Sequence, residues 1–321
     1  MQTSLITPVK DKYKLSNWKA YNASLCQRGS LTLYIHESVL RSWRDIDISK
    51  KVVGEQTYSE SIILCCLLIK MQYHQPLRQT TGFVKSILTL SGHGDLEVPN
   101  YTTLCRRQTG LPVSLTKRWE SGEKIAVAID STGLKVYGEG EWKVRKHGIS
   151  KRRTWLKLHI AIDVNTQEVI GVSLTGNDID DAAEAKKMLK DKAEKVESFH
   201  GDGAYDDFEF RKTLGDAKQI IPPPKDAVVH HGTKRKPLKE YLIQRNKAVE
   251  FINEHDRKQW KIKEGYHKRS RNETIMFRYK TTFGGEIQAR KIENQQTEVM
   301  IKTKILNIYR DVGMPVSYHV A

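Results

Sequence analysis

Three acidic residues stand in sequence contexts that suit catalysis: Asp130, Asp202 and Glu273. Asp130 closes the apolar run 123–130 and precedes Ser-Thr-Gly, and Asp202 lies in the turn Gly-Asp-Gly-Ala-Tyr. Glu273 lies in a segment rich in Lys and Arg. Carboxylates that a fold brings together repel one another unless cations neutralise them, and their hard oxygen atoms favour magnesium or manganese. The sequence therefore predicts a divalent-metal site if the fold gathers these three residues.

The segment 264–280 holds Glu273 between cations. On a continuous α-helix, which turns about 100° per residue, four polar residues at offsets of 0, 3, 7 and 14 fall within a sector of about 60°. These residues are Tyr266, Arg269, Glu273 and Lys280. The residues expected to point away from this sector and to bury against a core are Ile275, Phe277 and Tyr279. Such a division suits a helix whose polar face meets a ligand, although a solvated charged stripe has the same pattern.

The hydrophobic pattern beyond residue 118 predicts a mixed α/β domain over residues 119–321. Strands are predicted over residues 123–130, 155–163, 169–175, 198–205 and 219–221, and helices over 182–196, 208–214 and 240–280. The order β-β-β-α-β-α-β-α is that of a ribonuclease H-like domain with a mixed five-stranded sheet. In such a sheet the ends of the first and fourth strands lie side by side, which brings Asp130 next to Asp202. The last helix then packs across the sheet and carries Glu273 toward them.

This arrangement suits two-metal chemistry on phosphorus. Two ions about 4 Å apart activate an attacking hydroxyl and stabilise the leaving oxygen in an in-line attack. Asp130 is the candidate for the ligand that both ions share, with Asp202 and Glu273 each completing one ion. Taken singly, an aspartate at a strand end is also a common turn residue, so the prediction depends on all three acids meeting.

The region 1–118 has a different, helical pattern. Residues 1–30 are polar with scattered aromatic side chains and are predicted to form an extended arm. Such an arm could lie along DNA or against a second subunit, and the segment could equally be a packed tail. Helices are predicted over 59–71, from residue 76 to about 90, and from Asn100 to the pair Arg106 and Arg107. Two helices, a glycine-containing turn and a basic third helix match a helix-turn-helix unit, whose last helix enters the major groove. A helical scaffold without DNA contacts fits the same pattern.

Composition narrows the class of partner. The chain has 54 Lys and Arg against 38 Asp and Glu, and its net charge of +16 is spread along its length, so nucleic acid is the expected partner. No apolar run approaches the roughly 20 residues of a membrane span and no secretory leader is visible, which predicts a cytoplasmic protein. The four cysteines lack C-x-x-C spacing and three lie in apolar contexts, so neither zinc nor a disulfide is predicted, and the adjacent His230 and His231 are expected to be solvated.

The densest basic stretch lies between the first two predicted strands of the α/β domain. It consists of Lys143, Arg145, Lys146, Lys151, Arg152, Arg153 and Lys157. So concentrated a run usually has an anionic partner, which predicts a DNA contact, with a solvated hairpin as the alternative. Trp142 and Trp155 flank the stretch and are candidates for stacking on an unpaired base, although Trp155 begins a strand and fits a core position better.

Three motifs together resemble the DDE transposases of bacterial insertion sequences. They are Asp130-Ser-Thr-Gly, Gly201-Asp-Gly-Ala-Tyr-Asp206 and Tyr266-x2-Arg-x3-Glu-x6-Lys280. The last is complete and is similar to the signature of insertion sequence family 5, and the resemblance covers roughly residues 10–318. It implies a magnesium-dependent, nucleoid-associated bacterial enzyme. Such an enzyme binds the terminal inverted repeats of its element, hydrolyses a strand at each end and joins the exposed 3′-hydroxyl to target DNA.

The resemblance also implies residue roles. Asp130, Asp202 and Glu273 become the ligands of two Mg²⁺ ions, with Mn²⁺ as a substitute. Arg269 and Lys280 become phosphate contacts, and the Tyr266 of the signature packs or touches DNA beside them. The second and third acids are only 273 − 202 = 71 residues apart, which leaves no room for the large β-rich insertion that some relatives carry. Cutting two DNA ends together implies at least a homodimer on DNA.

Two alternatives remain open. One is another ribonuclease H-like nuclease, such as one that resolves branched DNA, although the signature helix argues against it. The other is a DNA-binding protein that has lost catalysis, for example a domesticated copy that acts as a repressor. An absent acid would favour that alternative, whereas all three acids are present in this sequence.

Overall fold

The computed structural model of the chain describes residues 12–44, 58–136, 155–233 and 235–320. The strands are β1 Lys12–Leu15, β2 Ile125–Val136, β3 Trp155–Asp163, β4 Val169–Gly176, β5 Val196–His200, β6 Lys218–Ile220, β7 Glu286–Ile287 and β8 Ser317–Val320. The α-helices are α1 Trp18–Gln27, α2 Glu37–Arg44, α3 Glu60–Gln72, α4 Leu77–Leu90, α5 Tyr101–Gln108, α6 Asp181–Leu189, α7 Phe208–Thr213, α8 Glu240–Glu254, α9 Arg257–Glu264, α10 Ser270–Phe283 and α11 Ile292–Val312. This is the mixed α/β architecture that the sequence predicts.

A mixed six-stranded sheet organises the molecule, with the order β4-β3-β2-β5-β6 and the short β7 beside β2. β3 and β4 form the predicted antiparallel hairpin, and β3 runs antiparallel to β2. β5 pairs with β2 in parallel, and β6 pairs with β5 in parallel, so the first and fourth predicted strands are neighbours as expected. The prediction of five strands omits β7, whose two residues are too few to produce a periodic signal.

The central strand β2 extends further than predicted. It continues past Asp130 because β3 stays paired with it as far as Lys135, and because β7 joins its other edge at Lys135 and Val136. On that other edge, β5 pairs only with residues 125–128. Within the described ranges, residues 129–134 of β2 thus have no strand on this edge. Asp130 therefore lies at a gap in the sheet and not at the end of a strand.

Alternate residues of β2 face two different cores. Ala126 and Ala128 belong to the larger buried cluster, which also contains residues of α3, α4, α5, α10 and α11. Ile125, Val127 and Ile129 belong to a second cluster together with residues of α6 and α7. The two-residue period of the strand thus places helices on both faces of the sheet. The larger cluster joins the helices before residue 118 to the sheet, and the division of the chain there stays a prediction.

The predicted helices of the N-terminal region are present as α3, α4 and α5, and Asn100 caps α5 by accepting a hydrogen bond from the backbone N–H of Thr102 at 3.0 Å. The extended arm is wrong for the described residues, because β1 pairs antiparallel with β8 and α1 follows it. Asn17 ties the chain ends together: its Nδ2 donates to the carbonyl oxygen of Met314 at 2.9 Å, and its Oδ1 accepts from the N–H of Val316 at 2.8 Å. Residues 1–11 lie outside the described ranges.

The helix predicted over 240–280 is interrupted twice. After α8, the Oδ1 of Asp256 accepts a hydrogen bond from the backbone N–H of Gln259 at 2.6 Å and starts α9 afresh. Gly265, with a φ of 67°, then ends α9 in the left-handed region that glycine adopts most readily. A 3₁₀ turn, Tyr266–Arg269, leads into α10. Tyr266 therefore does not lie on the same α-helix as Glu273.

Other differences concern helix length and burial. The helix predicted over 182–196 ends at Leu189, because the chain turns into β5 already at Val196. Phe277 is 70% exposed and not buried, since α10 packs through Ile275 and Tyr279. Two cysteines on α3, at positions 65 and 66, are buried, whereas those at positions 26 and 105 are exposed. None of the helices in the described segments is both long and apolar enough to cross a membrane.

Candidate active site

Asp130 and Asp202 lie next to each other because β2 and β5 are in parallel register. Ala128 pairs with His200, and each aspartate lies two residues further along its chain. Asp202 follows the end of β5, where its Oδ1 accepts a hydrogen bond from the backbone N–H of Ala204 at 2.9 Å. This bond caps the short 3₁₀ turn Gly203–Tyr205. The sheet and the turn together fix both carboxylates at the gap beside β2.

α10 carries Glu273 to the same place because its neighbour, Asn272, is anchored in the sheet. Asn272 is fully buried, and its Nδ2 donates to the carbonyl oxygen of Ala128 at 3.1 Å and to that of Ile160 at 2.8 Å. These carbonyl groups belong to β2 and β3, so one side-chain amide fixes the helix across two strands. The Glu273 side chain is 54% exposed.

Arg269 joins two of the three acids. Its Nη1 lies 3.0 Å from the Oδ2 of Asp130, and its Nη2 forms an ion pair with the Oε1 of Glu273. The side chains of Asp130 and Arg269 are each 19% exposed. The guanidinium thus stands between two carboxylates, where it supplies the positive charge that a bound cation would supply. We call Asp130, Asp202, Glu273 and Arg269 the acid site.

The acids of the acid site interact electrostatically. Burial raises the pKa of Asp130, and the charges of Asp202 and Glu273 raise it further. The backbone N–H of Ser131 and the Arg269 guanidinium act in the opposite direction, because both favour the ionised carboxylate. Asp130 therefore lies within reach of the charges of both other acids.

The two remaining signature residues border the acid site. The Tyr266 ring lies 5.8 Å from the Cζ of Arg269, and its centroid lies 6.0 Å from that of Trp260. Lys280 is exposed two turns beyond Glu273 on α10. The structure thus brings Tyr266 and Arg269 to the acids by way of the 3₁₀ turn, whereas Lys280 stays on the helix surface.

The acid site has the right donor atoms for a divalent cation, but Arg269 separates two of them. Over the ranges that the structure describes, no group of three or more His, Cys, Asp or Glu side chains is arranged to hold a metal ion. Three carboxylates nevertheless form a hard oxygen donor set of the kind that magnesium and manganese prefer. The guanidinium lies between Asp130 and Glu273 and balances part of their negative charge.

The other predicted DNA contacts differ in their surroundings. Arg106 is exposed on α5, whereas Arg107 turns inward and its Nη1 donates to the backbone carbonyl of Tyr58 at 2.8 Å. Lys157 is also engaged, because its Nζ donates to the carbonyl of Ile179 at 2.7 Å. The remaining predicted contacts lie outside the described residues: Lys143, Arg145, Lys146, Lys151, Arg152 and Arg153. Trp142 also lies outside them.

Four further residues lie close to the acid site and were not predicted: Ser131, Asp181, Tyr205 and Asn272. The Oδ2 of Asp181 accepts a hydrogen bond from the Oγ of Ser131 at 3.1 Å. A fourth carboxylate thus contacts the residue that directly follows Asp130. The motifs around the first two acids contain Ser131 and Tyr205, and this is the only signal for them in the sequence. Asp181 and Asn272 read as ordinary helix residues, because only tertiary packing brings them to the site.

Two family models match the chain, and both are described as "Transposase DDE domain". One covers residues 26–139, and the other covers residues 121–308, which is more than half of the chain and includes all three acids. Among solved structures, the chain is similar to that of a cryo-EM structure of a piggyBac transposase synaptic complex with hairpin DNA. The sequence identity is 11%, the TM-score is 0.37, and the match covers 92% of this chain and 76% of that chain.

Proposed function

Since the chain belongs to the transposase DDE domain family, we propose that it binds the terminal inverted repeats of an insertion sequence, cleaves DNA strands at the ends of that element and transfers the 3′-hydroxyl to target DNA. The observation that carries this proposal is the meeting of Asp130 on β2, Asp202 just after β5 and Glu273 on α10, with Arg269 paired to the first and the third of these acids. Three distant segments converge there on one cluster of charge. The complete Tyr-Arg-Glu-Lys pattern supports assignment to insertion sequence family 5.

The proposed catalytic domain is ribonuclease H-like and begins near residue 119. The parallel pairing of β2 with β5 beside the antiparallel β2-β3-β4 unit supports this proposal. Asp130, Asp202 and Glu273 would hold two Mg²⁺ ions, or Mn²⁺ in their place, and these ions supply activation of the attacking hydroxyl and stabilisation of the leaving oxygen. Asp130 is the candidate for the shared ligand because it senses the charges of both other acids.

The cations near the acids would bind the DNA backbone. Arg269 is paired with two carboxylates and is partly exposed, so a phosphate group entering the site finds a planar donor already in place. Lys280, exposed on the same helix, would extend this contact along the strand. Tyr266, whose ring stands beside Arg269, would limit how far the guanidinium turns.

The N-terminal helices would provide recognition of the repeat. α3, α4 and α5 follow one another as in a helix-turn-helix unit, and Arg106 projects from the last of them. The net charge of +16 supports the proposed binding of DNA. Because the two ends of the element would be cut together, we propose a homodimer or a higher oligomer on DNA. These contacts position the DNA, whereas the acid site performs the chemistry.

The direct test is magnesium-dependent nicking of a labelled duplex that carries the terminal repeat of the element. We compare the parent protein with Glu273→Gln, which removes a metal-binding charge at nearly constant volume. Substitution of residues around a metal site lowers affinity or activity about 10- to 100-fold, so loss of a ligand itself should lower cleavage by at least about a hundredfold. Binding of the duplex should survive, because the variant keeps every proposed phosphate contact.

A matched control is Glu254→Gln on α8. This glutamate is 76% exposed, and within the described residues its ion-pair partner is His255 alone. This variant should cut as the parent does. Cleavage that persists in Glu273→Gln at the parent rate would contradict the assigned third acid. Tight binding without cleavage by the parent, in magnesium and in manganese, would favour the catalytically silent DNA-binding protein instead.

A further inference from the structure

Exposed lysines on α9 lie beside the acid site and, within the described ranges, pair with no carboxylate. They are Lys258, Lys261 and Lys263. The one acid of this helix, Glu264, pairs instead with Lys218 at 2.8 Å. Since Lys258 and Lys261 are three residues apart, they lie on the same side of the helix, where like charges repel and destabilise it. An anionic partner bound to this surface would remove that repulsion.

The opposite side of α9 is anchored, so its exposed lysines occupy a defined place. Trp260 is 3% exposed and packs in a buried cluster with Ile220 and Ala248. The Nη2 of Arg257 donates to the carbonyl oxygen of Pro223 at 2.7 Å and fixes the first turn of the helix. The position of the basic surface relative to the acid site is therefore set by packing.

The Tyr266 ring connects α9 to the acid site. The Nζ of Lys261 lies 5.0 Å from the centroid of this ring, and the Cζ of Arg269 lies 5.8 Å from the same centroid. One aromatic ring therefore separates Lys261 from the guanidinium of the acid site. An exposed contact between a cation and a ring is weak and leaves the charge of the cation in place. The ring thus positions Lys261 without neutralising it.

We propose that Lys261 binds a backbone phosphate of the DNA strand that enters the acid site, so that this strand runs from Arg269 across Tyr266 to α9. The inference rests on the proposed function, because it assumes that the acid site holds a DNA end. A lysine ammonium group is a point charge on a flexible stem, and it binds phosphate without a fixed geometry. The exposed Lys261 needs no change in the fold to make this contact.

The position of Lys261 also gives the strand support that the other signature residues do not provide. Arg269 directly precedes α10, and Lys280 lies near the far end of that helix. Lys261 lies across Tyr266 from Arg269, beyond the start of α10. The two lysines therefore extend the proposed phosphate contacts in opposite directions from the acid site. Ile262, which is 70% exposed next to Lys261, offers an apolar surface for the sugars of the same strand.

The first experiment measures binding of the labelled terminal-repeat duplex to full-length Lys261→Gln, without divalent metal, over a range of salt concentrations. Each phosphate contact adds about one to the slope of log affinity against log salt concentration. We therefore expect a slope smaller by about one and, at low salt, an affinity weaker by about tenfold, or about 1.4 kcal/mol. Thermal stability should stay close to that of the parent, because Lys261 is exposed. Lys261→Arg should restore binding.

A second measurement identifies the phosphate that Lys261 contacts. Uncharged methylphosphonate linkages replace, one at a time, the phosphates at the end of the repeat. In the parent protein, one such linkage should weaken binding about as much as Lys261→Gln does. The same linkage should have no further effect in the variant, because the two changes remove the two partners of one contact. A lysine with a merely structural role would not be coupled to a single phosphate.

The matched control is Lys263→Gln. Lys263 is exposed on the same helix, and its Nζ lies 4.1 Å from the ring centroid of Phe251 on α8. Residues two apart on a helix point about 200° away from each other, so this variant removes the same charge from the other side of α9. It should keep the salt dependence of the parent and its response to each methylphosphonate linkage.

The outcomes separate the inference from the proposed function. If the parent protein does not bind the duplex, both are wrong. If Arg269→Gln weakens binding but Lys261→Gln binds with the affinity and the salt dependence of the parent, only the inference is overturned. Equal losses in Lys261→Gln and Lys263→Gln would also overturn it, because the effect would then come from the net charge of α9. The same follows if every methylphosphonate linkage weakens Lys261→Gln as much as the parent.

Discussion

Two clusters of arginine and carboxylate lie on either side of the Asp202 turn, and they differ in burial. In the interior cluster, Asp206 pairs with Arg211 and Arg245, and the three side chains are only 4%, 1% and 7% exposed. In the acid site, the exposed fractions are 19% for Arg269 and 54% for Glu273. Both clusters pair arginine with carboxylates near this turn, but only the acid site is open to solvent.

The clusters also differ in how completely their guanidinium groups are hydrogen-bonded. Arg211 donates to Asp206 at 2.6 Å, to the Oε1 of Gln219 at 3.1 Å and to the carbonyl of Ile221 at 3.0 Å. Its partners therefore include a backbone group and a neutral amide, which fix it in one orientation. Arg269 instead donates to two carboxylates, Asp130 and Glu273, and has the Tyr266 ring beside it.

This difference indicates which cluster holds the fold and which is able to change. A buried, fully bonded ion pair is lost only at a large free-energy penalty, because each remaining charge would be desolvated without a partner. A partly exposed pair with carboxylate partners exchanges them more easily, since water or another ion takes over. The interior cluster thus fixes the Asp202 turn against α7 and α8, whereas the arginine of the acid site is free to exchange partners, as its proposed contact with phosphate requires.

The largest effect is expected from Asp206→Asn in the interior cluster. The substitution leaves two buried guanidinium groups without their shared charge, and breaking such a buried pair lowers the free energy of unfolding by about 3–5 kcal/mol. The measurement is urea denaturation followed by circular dichroism. Asp226→Asn is the control, because Asp226 is exposed and lies in the nearby loop. A loss in Asp206→Asn no greater than in the control would show that burial does not distinguish the two clusters.

An intermediate effect is expected from Arg269→Gln in the acid site. Because the Asp130–Arg269 pair is partly exposed, its loss should lower the free energy of unfolding by no more than about 1 kcal/mol. Removal of the competing cation should instead tighten Mn²⁺ binding in the DNA-free protein by about fivefold, which corresponds to about 1 kcal/mol. The electron paramagnetic resonance signal of free Mn²⁺ in solution measures this change in affinity. Unaltered Mn²⁺ affinity would mean that the guanidinium does not compete with metal for the acids.

Cleavage by the same Arg269→Gln variant should fall although metal binding improves. The proposed role of Arg269 is to bind phosphate once DNA is present, and glutamine offers no charge for that contact. Arg257→Gln is a suitable control, because the Nη2 of Arg257 donates to the carbonyl of Pro223 away from the acids. Wild-type cleavage by Arg269→Gln would remove the signature arginine from the mechanism.

The contrast between the clusters also explains what the sequence could predict. The acids and the strands β2, β3 and β5 follow from local patterns, because apolar runs and hairpin spacing depend on nearby residues. Register within the sheet then follows from topology, and it brings Asp130 to Asp202. The interior cluster left no local signal, since Arg211 and Arg245 look like the many other basic residues of this chain.

The breaks at Asp256 and Gly265 show a second limit. The segment 240–280 is polar and basic enough to suit one long helix, and a single glycine in a helical pattern is compatible with continuation. The left-handed φ of Gly265 decides otherwise, and it turns Tyr266 and Arg269 toward the acids through a 3₁₀ turn. The predicted burial of Phe277 is wrong for a related reason: which residues of α10 are buried depends on the face that meets the sheet.

The smallest effect is expected from Glu209→Gln, which completes the series from buried to exposed ion pairs. Glu209 on α7 is 65% exposed and reaches Lys186 at 3.4 Å and Lys212 at 4.0 Å. Exposed pairs of this kind contribute between zero and about 1 kcal/mol, so the free energy of unfolding should change by less than about 0.5 kcal/mol.

The measurement for Glu209→Gln is the same urea denaturation, at low and at physiological salt. Any small loss should shrink as salt increases, because ions screen charges on the surface. The Asp206→Asn loss should depend little on salt, because its charges are buried. A Glu209→Gln loss comparable to that of Asp206→Asn would mean that α7 is held by its surface charges, and the difference between interior and exposed pairs would not explain how the Asp202 turn is fixed.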